Sequence, residues 1–311
     1  MSAAVAVPPR AEARSGLWQL ARIEAVRYAG HPVFLIGLAL ALAGSAGTYG
    51  PVELDHQVVP AFFLGVLGLV VAARLTTATD RSAPVVDAAP VSEMTRTAAL
   101  CIACAVPAAA GVVVVLFHRA FVLADPEPAY MDAGYSTSDL LWITLVIPVV
   151  ASAGGPLLGI AVGRWLRFRG ATLLAVLVLL EWSQQCAYLP ERHIDAGSVL
   201  ARTLHMLTPY TAFVETTAES NALPTLVIAY PGSPFWYLVW TVALCGLAVT
   251  AALWHGARSA SVPARRRVGR AFAACLAAAV VALVLAVTTG VGHLTYWTPD
   301  GTSSTVRPAD V

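Results

Sequence analysis

Lysine is absent from this 311-residue chain: all nineteen basic side chains are arginine. The phosphate-binding loop G-x-x-x-x-G-K-[ST] needs its lysine on the β- and γ-phosphates, so the chain holds no such loop. Any ATP that drives the protein must be bound by another polypeptide. Charge is also scarce, at 12% of residues against 58% hydrophobic. A soluble fold of this length needs a charged surface on every side, which this composition cannot supply. The net charge of +1 gives no electrostatic footprint for nucleic acid. Of the five cysteines, Cys101 and Cys104 form a C-x-x-C inside an apolar run. There a thiol acts as a small hydrophobe rather than as redox chemistry. The seven histidines are scattered without metal-ligand spacing, so no metal site is expected. No G-x-S-x-G, H-E-x-x-H or usefully spaced carboxylate pair occurs, so the chain is not expected to be an enzyme.

What the sequence does contain is long uncharged runs: residues 28–52, 57–73, 97–117, 140–163, 170–180, 234–254 and 271–292. A helix needs roughly 17–25 apolar residues to cross a bilayer. Six runs reach that length, and the fifth does so by extension through Glu181 to Pro190. The expected fold is therefore all-α: a polytopic helical protein of a cell membrane, with six spans and a seventh near the carboxyl end. Arginines in short loops face the cytoplasm. With the amino terminus inside, fifteen of the nineteen arginines fall on the inner side, leaving Arg119, Arg192, Arg202 and Arg307 outside. The carboxyl tail then ends outside. The absence of lysine amid abundant alanine and valine suits a GC-rich, bacterial genome.

The chain divides into residues 1–16, expected to be disordered and without the apolar core of a signal peptide; 17–256, six spans; 257–270, a basic cytoplasmic loop; 271–292, the added span; and 293–311, an outer tail. Residues 16–30 suit either a helix lying in the inner interface, with Leu17, Trp18, Ala21, Ala25 and Tyr28 on one face, or a plain cytoplasmic lead-in. The longest inner connection, 74–96, places Pro84 and Pro90 around a helix-sized piece, 85–89. Ser92 then caps the next helix, with Glu93 in its first turn. Such an element suits docking of a cytoplasmic partner, and a plain loop is the other reading. The outer segment 190–234 is too long to be structureless, and its middle, 199–219, reads as two short interfacial helices interrupted at Pro209.

Two further sets of residues stand out. Gly155, Gly159 and Gly163 recur every four residues, which puts them on one helix face where another helix can approach closely. Pro148 and Pro156 are expected to kink that span, and Pro107 the one before it. Glu181 is the one carboxylate inside a run, followed by Gln184 and Gln185. An acid at mid-membrane depth faces a partner or water rather than lipid, so these three are candidates for a cavity or pathway wall. An early outward bend of the helix, with Glu181 at the outer interface, is the alternative.

Three pieces in order carry a family likeness: LARIEAVRYAGHP at 20–32, DAAPVSEMTRTAAL at 87–100, and LTPYTAFVE at 207–215. Together they resemble the permease subunits of ATP-binding-cassette transporters of the type-2, exporter-like class. That family has an interface helix before its first span, a TPVS-like inner segment (here APVS, 89–92) and outer re-entrant helices with an NPLTY-like turn (here TPYTA, 208–212). The resemblance covers about residues 17–256. It implies an export pathway lined by this chain and a second permease copy, in a homo- or heterodimer within membrane lipid. It also implies cytoplasmic ATPase subunits that hold ATP and Mg, with contact at Asp80, Pro90, Val91, Ser92 and Glu93. The seventh run and the missing glycine-lysine after APVS depart from the family pattern. A non-transporting scaffold or sensor is the rival reading.

Overall fold

The computed structural model describes residues 10–46, 58–81, 91–124, 135–193, 198–209, 213–217, 226–258, 261–292, 295–297 and 302–304. The fold is an all-α, multi-pass membrane fold. Its helices are α1 (Arg10–Ala29), α2 (Pro32–Ser45), α3 (58–81), α4 (Glu93–Ala103), α5 (Ala105–Ala124), α6 (Thr137–Trp165), α7 (Ala171–His193), α8 (Val199–Met206), α9 (Pro234–Ala257) and α10 (Val262–Thr288). Five helical segments are long and apolar enough to cross a bilayer: Ala61–Ala78, Glu93–His118, Thr137–Trp165, Pro234–Ala257 and Val262–Thr288. Gly16–Ala29 and Pro32–Ser45, in α1 and α2, meet the same length and composition only as a pair, with a bend of 62° between them. The shorter apolar stretch Ala171–Cys186 accounts for the remaining run.

Several boundaries differ from expectation. α1 begins at Arg10, inside the stretch expected to be disordered. α2 is 14 residues long, about 21 Å, and so shorter than the span expected at 28–52. Residues 47–57 lie outside the described residues. α3 continues past its apolar run to Arg81, so Asp80 belongs to a helix rather than to the inner loop. The expected piece 85–89 and Pro90 lie outside the described residues. α10 starts at Val262, which puts Arg265–Arg270 on a helix and not in a loop. A straight-chain helix former costs little there, and Pro263 fits the first turn, where its missing N–H is no loss.

Pro156 lies inside the continuous helical stretch Ile147–Trp165, whereas other prolines adjoin turns or breaks. Pro148 follows a π-helical turn, Trp142–Val146, and another such turn, Ala61–Val66, follows Pro60. A wider turn takes up the residue whose N–H is missing. Pro107 lies just beyond the break at Cys104 that divides α4 from α5.

α6 is the central helix. It packs on α3, α5 and α9, and α10 packs along α9. α3 and α6 run parallel: Gly155 abuts Gly65, Gly159 abuts Leu69, and Gly163 lies against Thr76. Trp165 reaches Ala251 and Gly154 faces Cys245, so α9 runs parallel as well. α3, α6 and α9 therefore finish at one end of the bundle, where α4 and α10 begin. We call this the basic end. One apolar cluster lies toward it, around Tyr28, Leu64, Leu100, Val114, Leu157 and Ile160. A second lies toward the far end, around Tyr135, Met206, Phe213, Tyr237, Trp240 and Val287.

At the far end the expected pair of outer helices is not formed. α8 is followed by β1 (Val214–Thr217), which pairs antiparallel with β2 (Leu226–Ala229). The sheet continues through β3 (Thr295–Trp297) to β4 (Ser303–Ser304), both from the carboxyl tail. Val214, Thr216 and Thr217 are β-branched and favour an extended chain over a second helix. The Tyr135 hydroxyl donates to the carbonyls of Tyr230 at 2.5 Å and Phe213 at 3.2 Å. Burial, reinforced by the Asp139 carboxylate, pushes the Tyr135 phenol well up, so it stays a donor. Tyr237 donates to the Thr208 carbonyl at 2.6 Å.

Candidate functional site

The basic end brings together side chains from three helix termini. Ser92 caps α4: its Oγ accepts from the Thr95 amide at 3.1 Å. The Arg96 guanidinium donates to the Val91 carbonyl at 3.1 and 3.3 Å and fixes the segment entering the helix. Glu93, in the first turn, points across to the last turns of α6 and α9. Its Oε1 lies 3.5 Å from Arg164 Nη1 and 2.9 Å from His255 Nδ1. Each charge sits where a helix dipole favours it, the carboxylate at an N-terminus and the cation and imidazole at C-termini.

The hydrogen-bond directions follow from the donors available. Arg167 Nη2 lies 3.2 Å from His255 Nε2, and a guanidinium only donates. His255 Nε2 is therefore the acceptor, and the hydrogen assigned to Nδ1 is donated to Glu93. Trp165 packs edge-on against His255 with centroids 5.7 Å apart, and its indole N–H donates to the Ala251 carbonyl at 2.8 Å. The Arg258 guanidinium lies 4.5 Å from the Trp165 ring centre, a cation–π contact. Gly256 permits this convergence, because a Cβ there would lie 3.1 Å from the Met94 amide nitrogen.

Arg164 is 2% exposed and Glu93 is 34% exposed, so the cluster is buried on its arginine side and water-accessible on its glutamate side. The arrangement contains no nucleophile with a base. Among the described residues no group of three or more His, Cys, Asp or Glu could hold a metal ion. What the geometry provides is a side-chain link from the first turn of α4 to the ends of α6 and α9.

Of the residues singled out from sequence, Val91, Ser92 and Glu93 lie in or beside this cluster. Asp80 lies near the end of α3, its side chain outside the described residues, and Pro90 is outside them altogether. Gly155, Gly159 and Gly163 form the α6 face against α3 within the same chain: a Cβ on either of the first two would overlap the facing backbone, and one on Gly163 would lie 2.9 Å from Thr76 Cβ. Glu181, Gln184 and Gln185 are elsewhere. They are exposed on α7, where Gln185 Nε2 donates to Glu181 Oε1 at 2.7 Å. Glu181 is ten residues into α7, about 15 Å from its start, and the helix is continuous through it. Sequence reasoning missed Arg164, Arg167 and His255 as a group. Arg164 directly follows the glycine stripe but lies about 100° round the helix from Gly163, so the stripe gave no signal for it.

No protein-family model, curated relative or solved structure matches this chain. The fold itself defines the class: a multi-pass helical membrane protein.

Proposed function

We propose that the chain is the membrane-spanning permease subunit of an ATP-binding-cassette exporter of the type-2 class. It pairs with a second permease copy and lines the translocation pathway. Separate cytoplasmic ATPase subunits hold ATP and Mg and contact the segment 80–96. The amino terminus is cytoplasmic and the carboxyl tail lies outside. The observation that carries this reading is the Glu93–Arg164–His255 cluster, which ties the end of that segment to two spans. A push by an ATPase on the segment would be transmitted to α6 and α9 through contacts of 3.5 and 2.9 Å.

The test is affinity purification of the full chain from mild detergent, followed by ATPase assay in reconstituted vesicles. The expected result is a co-purifying ATPase whose hydrolysis rate depends on the chain and becomes uncoupled by Glu93→Ala. Absence of any ATPase, or labelling of engineered cysteines in 80–96 from the outer medium, would overturn it. The far-end sheet supports a second reading, an outer-surface sensor or scaffold, because loop and tail form one structured unit there. That reading requires partner binding at the sheet with no ATPase at the basic end.

A further inference from the structure

The first turns of α10 contain a groove. Val262, Pro263, Arg266, Arg267 and Arg270, all exposed, line an open groove of about 270 Å³. These positions follow helical spacing, so three guanidiniums share one side of α10. Arg270 immediately precedes the uncharged stretch of the helix, and Arg266 is about 6 Å further from it. That is the depth of lipid phosphates at the edge of the hydrocarbon.

The groove lacks an internal counter-charge. No Asp or Glu occurs from Ser220 to Pro299. Among the described residues, Arg266, Arg267 and Arg270 meet no carboxylate. Other arginines at this end have different work: Arg164 and Arg167 in the Glu93 cluster, Arg258 over Trp165, and Arg27 on Glu24. Three like charges along one groove repel, and an anion with several oxygens relieves that repulsion through the planar guanidinium forks. Val280, Val281 and Val284 are exposed and continue the same face about four turns further on.

We propose that this groove binds the phosphate of an anionic phospholipid whose acyl chains lie along the exposed valine face of α10. The site belongs to the helix beyond residue 256, so it stands whether or not the permease reading does.

The experiment titrates phosphatidylglycerol into the full-length chain in detergent and follows bound lipid by native mass spectrometry, with phosphatidylcholine as the neutral comparison. The chain should bind one phosphatidylglycerol in clear preference to phosphatidylcholine. An arginine near an anionic surface is worth about fivefold in affinity, so Arg270→Gln should weaken binding about fivefold and the Arg266→Gln/Arg267→Gln/Arg270→Gln triple variant well beyond tenfold. Arg265→Gln removes the same charge one residue outside the groove and should change affinity less than about twofold. Equal loss from Arg265→Gln would show a diffuse surface potential and overturn the site. Unchanged binding by the single and triple variants would also overturn it. Displacement of the lipid by inorganic phosphate at equal concentration would make the groove a free-phosphate site and refute the lipid assignment. Elution volume and helical circular dichroism control for folding, and Arg270→Gln alone decides if the triple variant does not fold.

Discussion

Removing the Glu93 carboxylate should destabilise the basic end by an amount the geometry sets. Opposite charges 3.5 Å apart attract by about 5 kcal/mol at an effective dielectric constant of 20. Breaking a fully buried pair costs about 3–5 kcal/mol, whereas an exposed pair is worth at most about 1 kcal/mol. Here the arginine is buried and the glutamate is a third exposed, so water screens one side. Glu93→Gln, which keeps the shape and an acceptor, should therefore cost about 2 kcal/mol. Arg164→Met removes the buried cation itself and fills its space. In the double variant the glutamine no longer faces an uncompensated charge, so the double should fall short of the sum of the singles by about 1–2 kcal/mol. The assay is unfolding of the purified chain in dodecylmaltoside by titrated dodecyl sulfate, followed by tryptophan fluorescence. Strict additivity of the two single variants would refute the coupling on which the site rests.

Gly159→Ala places a methyl against the Leu69 backbone and should cost about 1–3 kcal/mol in the same titration. Gly246→Ala meets only the rotatable Cys275 side chain and should cost less. Tyr237→Phe leaves the Thr208 carbonyl without its donor and should cost about 1–2 kcal/mol, with faster proteolysis between α8 and β1. Ser92→Ala should lose about 1 kcal/mol of cap energy and Ser92→Asp should retain it, as read by melting temperature. Ile228→Cys combined with Tyr296→Cys should crosslink on mild oxidation, because these residues are cross-strand partners; failure to crosslink would separate β3 from β2.

The helical, membrane-crossing character was legible because hydrocarbon thickness filters composition directly: long uncharged runs have few other uses. The Ser92 cap was legible because it is a local bond between residues three apart. The ends of the runs were not. α3 carries Arg74 and Asp80 past its apolar stretch, and α10 carries four arginines before its own, because a helix leaving a bilayer need not stop where hydrophobicity stops. The sheet was missed for a different reason. β2 pairs with β3 across a sequence gap that contains two membrane helices, and no window of sequence displays such a pairing. The Glu93 cluster has the same origin, since its members come from residues 93, 164 and 255. Each reads alone as an ordinary span-end charge.

The two ends of the bundle are fastened by different kinds of bond. At the far end Gly232 and Val291 exchange backbone hydrogen bonds of 2.8 and 3.1 Å, Ser233 donates to Ala286, and the sheet adds further backbone pairs. Those bonds join the start of α9 to the end of α10, and separating the helices there would break several at once. At the basic end the ties between α4, α6 and α9 include side-chain contacts to Glu93, which water already reaches. Ion contacts of that kind exchange partners at a cost of about 1–2 kcal/mol rather than the sum of a backbone ladder. Under the proposed coupling, a force applied at the entry to α4 would meet its softer resistance at the basic end and would pivot α9 about a far end held by α10 and the sheet. The proposed coupling needs this asymmetry, and under it α10 would anchor the end that must not move. Cutting the tail bonds, by Gly290→Val for instance, which would press a side chain into the Gly232 backbone, should loosen the far end while leaving the Glu93–His255 contact in place. Hydrogen exchange at 226–233 should rise while exchange at 93–97 stays unchanged; a matching rise at both ends would mean that the bundle moves as one body and the pivot is wrong.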